Sequence, residues 1–509
     1  DGFSSITLGS SSGTGAITVG AYTFSDPLTL RNPGAGSAGI SLTGAVSIGA
    51  NNLTLNTRGN VTQSAGAGIT ASGLELLGAG ASYVLTDSTN AITTLAGNTG
   101  SVSFLENSGF GIGTVNTVGL TTSGDLTLSS AGTVTQSQII AAGGLELLGS
   151  GNYTLSNTGN TITTLAADTG TLTYAQNTAY TVGSVNSTTG LTTVGALSLS
   201  GTAGYSIADD IHTGGTQNYS GPITLTDNVT LSSTDDAISF SGSSTTIDGA
   251  KTLTLNAGSA GISFGGLIGN GTALAGLTLQ GSGSNSLPGS LRVSGNLDLR
   301  GTSRSSTLVA TTTLTSTGGG RLTLGDLNGG YGLTLSNGAG TIELHTAGGS
   351  VPLASLTLQG TGLNELHGNL TTTGAMDLKG TSRSTELFGN LTLTTTNANV
   401  TTGAIDGGAG TAAGSYDLVL STGSGSIVLG DVGSALALHS LTLQGSGSTL
   451  AGQIVVTHGF DMGESRSFLI NEDRTYANIL ALTLGNLVLA DGVSLMLGSG
   501  GAGDRLHTD

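Results

Sequence analysis

Two short stretches of this chain place an acid and an imidazole two residues apart: Glu343-Leu344-His345 and Glu365-Leu366-His367. In an extended strand, residues i and i+2 share a face, so each stretch sets a carboxylate beside an imidazole. The copies are 22 positions apart. If that spacing is one turn of a repeating coil, the pairs stack, and imidazole with carboxylate is a donor set for a divalent metal. The plainer reading is a solvated polar face with its charges paired. That is the expectation here, and no metal-ligating residue is assigned.

A second cluster is Asp209, Asp210 and His212. Cleaving a polysaccharide needs an acid, a base and an orienting group gathered on a few neighbouring positions. These three are the sole candidates for that chemistry, and the nearest downstream base is Lys251. With Asp235-Asp236 they make residues 201–251 the acidic stretch, where a calcium site is the alternative to an outward loop. The tandem GGxGxDxUx pattern of calcium-binding repeats is missing. The expectation is a non-enzymatic protein with no catalytic residue and no cofactor.

A third set is arginine. Gly301-Thr302-Ser303-Arg304-Ser305 returns as Gly380-Thr381-Ser382-Arg383-Ser384 and, worn, as Ser465-Arg466-Ser467. Each copy follows an aspartate: Asp298, Asp377 and Asp461. An anionic glycan is one ligand for such an arginine. The favoured reading is structural: a guanidinium capping backbone carbonyls or paired with a carboxylate at a turn.

The elements that position these groups are legible as repeats. Leu53-Thr54-Leu55 to Val61-Thr62-Gln63-Ser64 is rewritten as Leu126-Thr127-Leu128 to Val134-Thr135-Gln136-Ser137, an offset of 73. Gly73-Leu74-Glu75-Leu76-Leu77-Gly78 returns at Gly144 with an offset of 71, and Ile92-Thr93-Thr94-Leu95-Ala96 at Ile162 with an offset of 70. The offsets drift at Gly, Ser and Asn clusters, as a solenoid's turns gain or lose residues. From residue 252 a second family begins: Leu277-Thr278-Leu279-Gln280-Gly281 recurs at Leu356 and Leu441. Apolar and polar residues alternate, the period of a strand with one buried face, so Leu147 points inward and Glu146 outward to solvent. No sustained helical spacing exists. The most apolar segment, from Ile479 to Leu497, is broken by Asn486 and Asp491 and reads as strands rather than a membrane span.

Together these features predict an all-β, right-handed parallel β-helix of roughly 20-residue coils. About 24 such coils at ~4.8 Å each make a rod roughly 115 Å long. The predicted segments are 1–49, entry coils; 50–200, the first long-repeat family; 201–251, irregular coils or a loop; 252–470, the second family; and 471–509, terminal coils or the start of a cap.

Composition fits. Charged residues are 8% of the chain, against about 25% in ordinary domains. Equivalent residues in successive coils lie ~4.8 Å apart, where like charges repel by roughly 0.9 kcal/mol even in water. Uncharged Thr, Ser and Asn ladders are therefore expected on the outer faces. Twelve basic against 30 acidic residues give a net charge of −18, which argues against nucleic acid and anionic membrane as partners. There is no cysteine, which suits a chain that crosses an oxidising periplasm unfolded. Asp1-Gly2-Phe3-Ser4 has neither the basic region nor the apolar core of a signal peptide. Asn-x-Thr triplets at Asn52, Asn60 and Asn390 match the acceptor pattern for glycosylation, a pattern that chance also supplies in so Asn- and Thr-rich a chain. Thr-x-Thr recurs too unevenly for an ice-binding face.

The tandem blocks Gly124-Asp125-Leu126-Thr127-Leu128, Val134-Thr135-Gln136-Ser137, Leu145-Glu146-Leu147-Leu148-Gly149 and Asn160-Thr161-Ile162-Thr163-Thr164-Leu165 resemble the repeat region of filamentous-haemagglutinin-type exoproteins, large adhesins of Gram-negative bacteria. The resemblance covers residues 50–200 closely and 252–470 more loosely. It implies an extracellular adhesin or biofilm-matrix protein at the cell surface, exported through an outer-membrane secretion partner. Its ligands would be host or neighbouring-cell glycans or proteins, or exopolysaccharide. The alternatives are a filament or sheath subunit that self-associates end to end and, lower, a β-helical polysaccharide-degrading enzyme.

Overall fold

The computed structural model describes residues 2–463, 465–477, 481–483, 486–497 and 505–507. Among them there is no helix, and 52% of residues lie in strands. Those strands stack in parallel as coils of about 21 residues, a β-solenoid. The chain forms two compact units, Asp1–Ile247 and Asp248–Asp509.

In the first unit the leucines seen in sequence form one interior column. Ile6 pairs with Leu28, Leu28 with Leu53, Leu53 with Leu74 and Leu74 with Leu95. The four leucines are buried, each burial contributing about 1.5–3 kcal/mol relative to exposure. The second copy repeats this: Leu126 lies on Leu145 and Leu128 on Leu147, and Leu147 is inward as expected, with no exposed surface. The glycine that ends each Gly-Leu-Glu-Leu-Leu-Gly block turns the corner. Gly78 and Gly149 have φ of 128° and 90°, and a Cβ there would lie 1.5 Å from the Thr57 carbonyl oxygen and 2.4 Å from that of Ser130. Only a residue without a side chain fits.

Residues 201–251, expected as irregular coils or a loop, run in the same cycle. Tyr205–Ile207 lies on Ile223–Leu225, Ile211–Thr213 on Val229–Ser233 and Gln217–Ser220 on Ile238–Phe240, all parallel. The pattern was masked in sequence because tyrosine and glutamine interrupt the leucine and isoleucine interior here. Tyr205, Gln217 and Tyr219 point inward, and the Tyr219 hydroxyl donates to Gln217 Oε1 at 2.7 Å. An interior glutamine reads as an outward residue until its partner is known.

In the second unit one inward column runs Leu253, Leu277, Leu297, Leu322, Ile342, Asn364, Thr385, Ile405. The outward column beside it runs Thr254, Thr278, Asp298, Thr323, Glu343, Glu365, Glu386, Asp406. Four acids therefore stack on consecutive coils, against the expectation of uncharged ladders. The apolar stretch Ile479 to Leu497 holds strands Ala481–Thr483, Asn486–Leu489 and Ser494–Leu497. Asn478, Ile479, Leu480, Leu484 and Gly485, and 498–504, 508 and 509 of the expected terminal segment, lie outside the described residues.

Candidate functional site: charged clusters on and within the coils

Glu146 is the clearest departure from the sequence expectation. It takes its outward register position, yet its relative exposure is 4%, and that of its counterpart Glu75 is 2%. A short hairpin covers each. Around Glu75, Thr117 donates its N–H (2.7 Å) and hydroxyl (2.8 Å) to Oε1, while Asn116 Nδ2 (2.9 Å) and Thr54 Oγ1 (2.8 Å) donate to Oε2. Around Glu146, Thr188 Oγ1 donates to Oε1 at 2.7 Å, and Asn186 Nδ2 (2.8 Å) and Thr127 Oγ1 (2.7 Å) donate to Oε2. The intervening coil presents alanine, since Ala96 pairs with Glu75 and Ala166 with Glu146. That small residue lets the hairpin fold down two coils. Val115 and Val185 then press on Gly73 and Gly144, where a Cβ would come within 2.9 and 2.6 Å of a valine methyl. Burial pushes both carboxyls up, but the hydrogen bonds outweigh it and hold them below the usual carboxylate range. The sequence carried a signal for this: Val115-Asn116 returns as Val185-Asn186 at an offset of 70.

The arginine repeat is structural, as favoured. Arg304, Arg383 and Arg466 are among the largest fully buried side chains, each at 0–1% exposure. Arg304 donates Nε to Asn285 Oδ1 (2.7 Å), Nη1 to the Gln280 carbonyl (2.8 Å) and Nη2 to the Ala260 carbonyl (2.8 Å). Arg383 donates to Asn364 Oδ1 (2.5 Å), Asn337 Oδ1 (2.9 Å) and the carbonyls of Leu363 (2.7 Å) and Gly340 (2.9 Å). Arg466 donates to Thr449 and Thr422 hydroxyls at 3.0 Å each and to the Gln444 carbonyl at 2.9 Å. The carboxylate half of the expectation is corrected. Asp298, Asp377 and Asp461 instead accept the backbone N–H two residues on, of Arg300, Lys379 and Gly463, at 2.9 Å each. Those short loops fix the turn that sends the guanidinium inward. Desolvation lowers all three arginines, Arg383 to about 10.

The Glu-Leu-His copies do stack in register, with Glu343 on Glu365 and Leu344 on Leu366. The rings of His345 and His367 lie 5.0 Å apart at 13°, and Phe388 continues the stack 4.7 Å beyond His367. Their nitrogens and acids do not converge on a metal position. His345 Nε2 meets Glu343 Oε1 at 3.2 Å. Glu343 is also held by Arg300 (2.7 Å) and Arg321 (2.8 Å), and Arg321 bridges on to Glu365. The rest of the acid ladder is relieved by backbone: Glu386 accepts the Ala409 N–H at 2.9 Å, and Asp406 those of Ala435 (2.8 Å) and Leu436 (3.1 Å). For Glu343, burial raises the carboxyl, and the bonds from Arg321 and His345 with the nearby Arg300 charge bring it below its usual range. Among the described residues no three acid or imidazole groups are grouped to hold a metal ion.

Asp209, Asp210 and His212 are each bonded to a different neighbour. Asp209 Oδ2 accepts from Ser184 Oγ (3.0 Å), Asp210 Oδ1 from the Thr230 N–H (2.7 Å), and His212 Nδ1 meets Ser232 Oγ at 2.8 Å. No hydrogen bond joins one of the three to another. On the same unit an open groove of about 870 Å³ crosses successive coils, lined by Thr70, Ser72, Thr93, Thr94, Thr133 and Thr135, with Ile92, Phe110 and small residues between them. No charged residue lines it.

Compared with protein-family models, curated proteins and solved structures, the chain finds no match.

Proposed function

We propose that this chain is a non-enzymatic extracellular adhesin or matrix protein of the filamentous-haemagglutinin type, whose coils bind neutral glycan. The observation that carries the reading is the uncharged threonine-lined groove of the first unit. On this face threonines alternate with small residues along the stack, since Thr70 pairs with Ala91, and Thr94 pairs with Gly111, which pairs in turn with Thr135. The hydroxyls, some of them two coils or about 10 Å apart, offer repeated donors and acceptors to a polymer of hydroxyls. Asp209 and Asp210, further along the chain, are engaged by intramolecular hydrogen bonds, which leaves little for general acid–base chemistry. The net charge of −18 disfavours acidic polysaccharides through repulsion. Cell-surface location and export by an outer-membrane partner follow from the repeat resemblance and belong to the same proposal.

The test is retention of the purified chain on immobilised neutral and acidic polysaccharides, with products assayed for new reducing ends. Retention on a neutral glycan, lost in Thr93→Glu/Thr135→Glu and kept in Asp209→Asn/Asp210→Asn/His212→Asn, is the expected result. New reducing ends that vanish in the triple variant would replace the adhesin with an enzyme. Continuous fibres in electron micrographs would favour the filament subunit.

A further inference from the structure

We propose that His439 and His458 form a surface site for a divalent transition metal of the zinc, nickel or copper type. Neither residue belongs to the Glu-Leu-His repeat. They meet because of a break in strand register. Leu438 pairs with Val456 and Ser440 with Gly459, so two residues, Thr457 and His458, stand against the single residue His439. This is a β-bulge, a device that re-aims a side chain. The bulge is seated by Gly414, where a Cβ would come within 2.3 Å of the Thr457 hydroxyl. The imidazole centroids are 4.0 Å apart and tilted by 31°.

The outer partners fix which nitrogens are open. Asp417 Oδ1 lies 2.6 Å from His439 Nδ1 and also accepts from Ser440 Oγ at 2.5 Å. A carboxylate on one ring nitrogen sets the tautomer with Nδ1 protonated and leaves the Nε2 lone pair free, the arrangement in which histidine ligates metal. Thr457 Oγ1 lies 3.2 Å from His458 Nδ1, so its Nε2 is open as well. His439 is 38% exposed at the side chain, and His458 is exposed. Two bonds of about 2.0–2.1 Å at a tetrahedral angle need the nitrogens roughly 3.4 Å apart. Rings with centroids 4.0 Å apart reach that when the exposed His458 ring swings further out of the stack and widens the 31° tilt, so that one metal lies close to both ring planes. Water completes the coordination.

The other imidazole pair shows what excludes a metal. His345 and His367 are nearly parallel, Glu343 occupies His345 Nε2, and Arg300 and Arg321 place positive charge on that same carboxylate. Sequence reasoning raised this pair as a candidate because it repeats and expected a charge-paired polar face there, whereas the open pair arises from an irregularity.

The experiment titrates the untagged full chain with zinc or nickel chloride by calorimetry near pH 7.5. Expected is a metal bound at this pair, with affinity lowered at least tenfold in His439→Asn and in His458→Asn and unchanged in His345→Asn/His367→Asn. Asp417→Asn weakens binding about 10-fold, the usual effect of losing an orienting carboxylate. With copper, electron paramagnetic resonance should report two coordinated imidazoles, falling to one in each single variant. His458 sits exposed on the bulge, so its variant keeps the test open if His439→Asn fails to fold. Absence of binding to the unaltered chain, or binding equal in the His439→Asn/His458→Asn double variant, would overturn the assignment.

Discussion

The first unit buries the carboxylates of Glu75 and Glu146 and the second the guanidinium groups of Arg304, Arg383 and Arg466, and none of these five is held by an opposite charge, unlike Glu343 of the second unit, which Arg300 and Arg321 pair. Glu75 and Glu146 start on the outer face and are covered from outside by a hairpin that brings hydroxyl and amide donors. Arg304, Arg383 and Arg466 start at a turn and reach inward to carbonyls that the coils leave free at their corners. Both follow from what a parallel stack offers. Its interior corners expose acceptors, which a guanidinium with five donors can satisfy. Its outer face exposes side chains only, so a carboxylate there needs donors from elsewhere in the chain. A buried charge without full hydrogen bonding costs several kcal/mol, so each device needs residues from three coils. Both make the stack cooperative beyond nearest neighbours.

The most damaging way to break this comparison is Arg383→Met. It leaves two asparagine oxygens and two or more carbonyls without donors, and should destabilise its coils by about 3–5 kcal/mol. Hydrogen exchange is the measurement, because a repeat array need not unfold in one step. Protection should fall around residues 337–385 and stay unchanged near Glu75. Loss spread evenly over both units would mean that the clamp is not local.

Glu146→Gln comes next. As an outward residue it would tolerate glutamine; as a clasped carboxylate it should lose about 1–3 kcal/mol, since one acceptor becomes a donor facing donors. Protection of residues 183–190 should fall with it. An effect under about 0.5 kcal/mol would return Glu146 to the ordinary surface class.

Acid sharpens the contrast by chemistry. The folded carboxyls of Glu75 and Glu146 lie below their usual range, so their contribution is full above the ordinary value near 4.3 and is lost as pH falls through the folded value. The arginines stay protonated throughout, Arg383 titrating only at about 10. Between neutral pH and about pH 3, exchange should accelerate at the clasps before it does at the arginine clamps. The smallest effect is Thr127→Val, which removes one donor of Glu146 and should cost about 0.5–1.5 kcal/mol, read as a shift in the same peptides.

What the sequence determined by itself is the repeating strand and its inward face. Alternation in Leu126-Thr127-Leu128 and the offsets near 70 were enough to place Leu147 in the core and to read coils of roughly 20 residues, against about 21 in the structure. The structural role of Arg304, Arg383 and Arg466 was legible too, because rare residues returning in register imply a common geometry. Tertiary structure decided which polar groups meet. Glu146 depends on a hairpin 40 residues later, and the stacked acids depend on Arg300 and Arg321 arriving from other coils. The open imidazole pair depends on one extra residue opposite His439. Alternation fixes whether a side chain points in or out. Contact between coils is set by the length of every turn between them, and one residue more or less changes the partner.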